Sequence, residues 1–98
     1  MAADEIIHQS LRLKIMAALN ALDRKEWLEF TRLKALTGAT DGNLGAHLET
    51  LSKANYIEVE KRFNGRRPQT RIRTTKEGRH AFSKHVAYLR EILDSTQP

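Results

Sequence analysis

Six of the thirteen residues in the stretch KRFNGRRPQTRIR, from Lys61 to Arg73, are Lys or Arg, and none is acidic. Such a cluster suits a polyanionic partner, because closely spaced cations neutralise phosphates. The rest of the chain sharpens the point. Residues 1–60 carry seven basic and nine acidic side chains, residues 61–79 carry eight basic and one acidic, and residues 80–98 carry two of each. The whole net charge of +5 therefore resides in one segment. The other reading of such a run is a solvated loop kept basic for solubility.

Catalytic and metal chemistry has no comparable cluster. His8, His47, His80 and His85 show no paired ligand spacing, and His80 and His85 are five apart, off one helical face. No Ser–His–Asp grouping or Gly-rich phosphate loop can be assembled from neighbouring motifs. There are no cysteines, so disulfides and thiolate metal sites are excluded. The expectation is a protein that is not an enzyme, with no catalytic residues, no metal and no cofactor.

Ninety-eight residues suffice for one small domain. With 40% hydrophobic and 30% charged residues of mixed sign, the chain reads as soluble and globular. No apolar run approaches the roughly 18 residues of a membrane span. The N-terminal MAADEIIHQS is acidic and lacks a signal peptide's apolar stretch. A cytoplasmic location without a membrane partner is expected. Only the ends, about 1–5 and 95–98, look loose.

The elements that must position the basic stretch follow from periodicity and caps. Leu11, Ile15, Leu19 and Leu22 form one helical stripe, with Ser10 as N-cap. EWLEF suits a short extended piece. Thr31 caps a two-turn helix in which Leu33 and Leu36 share a face and Gly38 is the stop. Thr40 caps the next helix, with Asp41 in its first turn, Leu44, Leu48 and Leu51 inward, and Asn55 as a left-handed terminator. IEVEKRF and TRIRT then alternate, with Ile57, Val59 and Phe63 on one face of the first and Ile72 and Thr74 inward on the second. The NGRRPQ between them makes a hairpin with a longish tip. Parity places Phe63 opposite Thr70, Glu60 opposite Arg73 in a salt bridge, and Arg62 opposite Arg71, a repulsive pair unless an anion sits between them. Thr75 caps a long last helix. Phe82, Val86, Leu89 and Leu93 form one apolar stripe on it, and Ala81, His85, Tyr88 and Ile92 form a second beside the first. That wide arc is either core on both flanks or a dimer face.

Two helices separated only by TGAT meet at a steep angle, as in a helix-turn-helix, and the basic hairpin follows at once. In this order, RLKIMAAL, TDGNLGAHLETLSKANYIEVEK and GRRPQTRIRTTKEGR resemble a small single-domain winged helix-turn-helix transcriptional regulator of the MarR and ArsR groups. The resemblance runs from about Ser10 to Leu93. Ser10 stands where relatives often have Pro, and Asn55 where they often have Gly.

The resemblance implies a mainly α fold with a small β-hairpin, in the order α-β-α-α-β-β-α. It implies a single domain over 6–94, with 76–94 as a dimerisation helix. Residues 41–54 would enter the major groove of double-stranded DNA, and the wing at 61–73 would lie on phosphates or in the minor groove. Repression is implied over activation. With its leucines buried, the third helix shows Gly42, Asn43, Ala46, His47, Thr50 and Lys53, and its tip is Thr40, Asp41, Gly42 and Asn43. Asn43 suits adenine, and the methyl of Ala46 or Thr50 suits thymine. Asp41 either accepts from a cytosine amino group or only caps and repels phosphate. Gly42 and Gly45 each cost a helix about 1 kcal/mol relative to Ala, which close approach of DNA or another helix would justify. Arg62, Arg66, Arg67 and Arg71 are the candidate phosphate or minor-groove contacts, with Pro68 stiffening the tip. The apolar arc from Ala81 to Leu93 is the candidate homodimer interface. A winged helix that binds only protein is the main alternative, but it needs no basic wing. RNA binding would want an aromatic platform. No added sensing segment supports a small-molecule effector.

Overall fold

The computed structural model describes residues 2–95. Its elements are α1 (Ser10–Asn20), β1 (Leu28–Glu29), α2 (Phe30–Thr37), α3 (Asp41–Lys53), β2 (Ile57–Asn64), β3 (Arg67–Thr74) and α4 (Lys76–Ser95). The strands form one antiparallel sheet in the order β1-β3-β2. This is the winged helix α+β arrangement expected from the sequence.

The core is assembled from one stripe per element. Ile15, Met16 and Leu19 of α1 meet Leu33 of α2, the three leucines of α3, Ile57 of β2 and Ile72 of β3. Ile7, ahead of α1, is also fully buried. Burying each such side chain contributes about 1.5–3 kcal/mol, so the core fixes how α3 and the hairpin stand relative to each other.

The cap of α1 is Gln9, not Ser10. The Gln9 side chain accepts from the Arg12 N–H at 2.9 Å, and Ser10 is already helical. Leu22 lies beyond the helix end at Asn20. Helix α2 begins at Phe30 rather than after Thr31, and its N-cap, Glu29, makes no side-chain cap bond. Pairing of Glu29 with Arg71 fixes the entry to this helix instead. Leu36 is 52% exposed, and Leu33 is the buried residue of α2, so the two do not share a buried face. Gly38, at φ +71, ends α2 as expected.

The hairpin register differs from the parity reading by two residues. Phe63 pairs with Pro68, Glu60 with Arg71 and Glu58 with Arg73, while Arg62 faces Gln69. The reason is a tighter turn. Gly65 and Arg66 alone connect the Asn64–Arg67 pair, and Gly65 takes φ +66, as the first central residue of a type II′ turn must. Pro68 therefore lies inside β3. Pairing with β1 stops at Arg71, so β3 has a neighbour on only one side there. Val59 and Phe63 share the parity of buried Ile57 but are 39% and 71% exposed, because the hairpin outruns the core.

Helix α4 is seated by a close joint. Thr75 caps it, accepting from Gly78 N–H at 2.9 Å and donating to the Asn55 carbonyl at 2.6 Å. Asn55 holds φ +62. A Cβ on Gly78 would come within 2.0 Å of the Tyr56 carbonyl oxygen, so glycine is required there. The N-terminal segment is tied to this joint. Asp4 accepts from Ile6 and Ile7 N–H groups, both at 2.9 Å, and its own N–H donates to Nδ1 of His85 at 3.1 Å. Asp4 is thus anchored where the sequence suggested a loose end. Residues 1 and 96–98 of that expectation lie outside the described residues.

Candidate nucleic-acid interface

The N-terminus of α3 is held by Thr40, whose hydroxyl accepts from the Asn43 N–H at 3.2 Å. Leu44, Leu48 and Leu51 are buried, so Asp41, Gly42, Asn43 and Ala46 stand on the exposed side. His47 and Thr50 are half-buried at its edge. The Thr50 hydroxyl donates back to the Ala46 carbonyl at 3.3 Å. A methyl group added at Gly42 or Gly45 would meet nothing of the chain within 4 Å, so no internal packing demands a glycine at either position.

Asp41 is not a bare negative charge at this tip. Lys34, in the last turn of α2, reaches its carboxylate at 2.8 Å across the turn between the helices. His47 is also engaged: Nη1 of Arg12, on α1, lies 3.1 Å from its Nδ1. Lys34 had a local signal, a cation in the last turn of one helix facing a carboxylate in the first turn of the next. Arg12 had none.

The eight cations of residues 61–79 divide into two groups. Arg71 pairs with Glu60 and Arg73 with Glu58, each at 2.9 Å. Both guanidinium groups also lie over the Trp27 ring, 4.3 Å and 4.2 Å from its centroid. Arg79 donates to the Thr74 hydroxyl and the Leu22 carbonyl. These three arginines hold the base of the wing together. Lys61, Arg62, Arg66, Arg67 and Lys76 are exposed and have no ion-pair partner among the described residues. The free charge therefore lies mainly on the outer half of the hairpin. Arg71, expected behind the tip with Arg62, instead faces Glu60, where its charge is already compensated. The sequence marks Trp27 only as part of an extended piece, yet it is the plate on which two arginines rest.

The winged helix DNA-binding domain family matches residues 11–93. The chain belongs to this family. Over 82 residues this winged helix chain is 38% identical to an uncharacterized protein of Methanocaldococcus jannaschii, covering 84% of this chain and 86% of the other. Its fold is similar to a transcriptional regulator homologue from Pyrococcus horikoshii, with a TM-score of 0.86 at 22% identity over 97% of this chain and 91% of the other. It is also similar to a MarR-family transcriptional regulator from Enterococcus faecalis, with a TM-score of 0.70 at 20% identity over 97% and 90%. In winged helix terms, α2 and α3 are the helix-turn-helix and β2–β3 is the wing. No helix among the described residues is long and apolar enough to cross a membrane, and no three His, Asp or Glu side chains among them are grouped to hold a metal.

On the last helix, the two predicted stripes separate. His85 is 1% exposed under the chain's own N-terminal segment, so it belongs to the core and not to an outer face. Ala81 and Phe82 pack partly against the core. Val86, Tyr88 and Leu89 remain half-buried, and Ile92 and Leu93 are 42% and 64% exposed.

Proposed function

We propose that this winged helix domain is a sequence-specific transcriptional regulator, acting in the cytoplasm as a homodimer on double-stranded DNA. It works by binding and not by catalysis. Helix α3 enters the major groove, where Asn43, Ala46, His47 and Thr50 meet base edges, while Thr40, Asp41 and Gly42 form the approaching tip. Arg62, Arg66 and Arg67 lie on phosphates or in the minor groove. Arg71 serves the wing's shape. One observation carries the reading: four cations without an ion-pair partner among the described residues, Lys61, Arg62, Arg66 and Arg67, gather on the outer wing, while Arg71, Arg73 and Asp41 are ion-paired. Phosphate binding draws on cations that no carboxylate already neutralises. A module that binds only protein does not.

The dimer is proposed to form through residues 76–94, around Val86, Tyr88, Leu89, Ile92 and Leu93. The domain within 6–94 then presents two copies of α3 to half-sites about one helical turn apart. Repression follows if such a site overlaps a promoter. Selection of bound duplexes from a random pool tests the reading. A site with two-fold symmetry is expected. Failure to enrich any sequence, with equal binding to all duplexes, would remove the claim of sequence specificity.

A further inference from the structure

We propose that Arg12, a residue of α1, is a positioning residue for base reading. It fixes His47 as the tautomer whose Nε2–H faces the major groove, and that donor selects guanine. The inference rests on the reading of α3 as the recognition helix.

The chemistry is set by what each group can offer. A guanidinium carries only donors. Its Nη1 lies 3.1 Å from Nδ1 of His47, so Nδ1 must accept, and the proton of the neutral ring must sit on Nε2. The two ring nitrogens project in different directions. With Nδ1 turned to α1, Nε2 is turned away from it, and it has no partner among the described residues. The ring therefore offers outward a single fixed donor.

Arg12 is itself held from behind. Its Nε donates to the Ile6 carbonyl. The Ile6 segment is tied by Asp4, which is bonded to His85 of α4. The guanidinium thus grips two groups with two different nitrogens, and neither grip depends on DNA. A donor held in advance loses little freedom on binding. Among major-groove edges, guanine presents the acceptors N7 and O6 with no donor between them. Adenine sets a donor beside its N7, cytosine shows a donor, and thymine adds a methyl group to its one acceptor. A lone N–H therefore favours guanine.

The experiment uses the full chain and four proteins: wild type, Arg12→Lys, His47→Gln and the double variant. Lysine keeps the positive charge without the two-nitrogen grip, so binding to random duplex should change little. Nitrogen NMR of the free wild type should show Nε2 protonated and Nδ1 bare, and in Arg12→Lys this signature should shift toward a mixture. On the selected site, guanine preference at one position of each half-site should fall roughly fivefold in Arg12→Lys, the low end for one base contact. In the His47→Gln background, adding Arg12→Lys should change that preference no further, because there is no tautomer left to fix. A wild-type ring protonated on Nδ1, or a guanine preference untouched by Arg12→Lys, would overturn the proposal while leaving DNA binding in place. Absence of binding to every duplex would instead remove the functional reading on which it rests.

Discussion

The Tyr56 hydroxyl donates to Oδ2 of Asp4 at 2.7 Å, across 52 positions of sequence. This bond closes the N-terminal segment over the joint where α3 ends and α4 begins. Tyr56 is pushed up to about 12, first by burial and then by the hydrogen bond and negative charge of Asp4.

The alkaline consequence has a definite sign. The folded value lies above the unfolded value of about 10, so the folded chain keeps its phenolic proton longer. The stability from this contact is complete below pH 10 and is lost as pH rises from 10 toward 12. Melting temperature should therefore drop more steeply from pH 9 to 11.5 in the wild type than in Tyr56→Phe. At neutral pH the variant should be less stable by about 1 kcal/mol. Parallel melting curves across the alkaline range would contradict this.

His85 gives the acidic counterpart. Burial, then the neighbouring His8, lowers its pKa, with Asp4 pulling the other way. Its Nδ1 must stay bare to accept from the Asp4 N–H. The folded value is depressed below the unfolded value of about 6.5, so the unfolded chain takes up the proton first. This contribution is complete above pH 6.5 and is lost as pH falls through 6.5 toward the depressed value. His85→Gln should show a smaller fall in melting temperature between pH 7.5 and 5 than the wild type. An equal fall in both would show that His85 plays no part in acid sensitivity.

What the sequence disclosed and what it hid divide along local and distant contacts. The stripe Leu44, Leu48, Leu51, the caps Thr40 and Thr75, and the stops Gly38 and Asn55 were legible, because each depends on residues within one or two turns. The hairpin register was not. Pairing Phe63 with Thr70 or with Pro68 preserves the same alternation, so alternation does not choose between them; the observed register comes with a two-residue turn at Gly65 and Arg66, Gly65 at φ +66. The partners of the site were hidden for a related reason. Arg12 and His47 lie 35 positions apart, and helical periodicity does not show which guanidinium finds which imidazole. His85 fell into an apolar stripe by spacing, while its cover comes from the other end of the chain.

On α3, reading and support should separate cleanly. Asn43→Ala removes an exposed amide, so it should cost roughly 1–3 kcal/mol at the cognate site and relax preference at one base pair, with melting little changed. Leu48→Ala opens a cavity beneath the helix at a residue only 4% exposed, and should cost about 2–5 kcal/mol of stability. Site selection and thermal melting of the two variants check this. Unchanged base preference in Asn43→Ala would make that residue ordinary surface.

The dimer has its own test. Sedimentation at micromolar concentration should give a dimer for the wild type. Ile92→Glu places a charge on the exposed apolar end of α4 and should give a folded monomer with weakened binding to a two-half-site duplex. A wild type that is monomeric, bound to a site without symmetry, would contradict the dimer.

The most direct measurement is affinity against salt for the wild type and for the double substitution Arg66→Ala, Arg67→Ala, on cognate and random duplexes. Each phosphate neutralised contributes about −0.9 to the log–log salt slope. Removing two uncompensated cations should weaken both duplexes alike and flatten the slope by about 2 per protomer, with folding intact because the turn is exposed. A greater loss on A·T-rich flanks would place the arginines in the narrow minor groove. Unchanged slope and affinity on both duplexes would contradict the claim that this wing binds DNA.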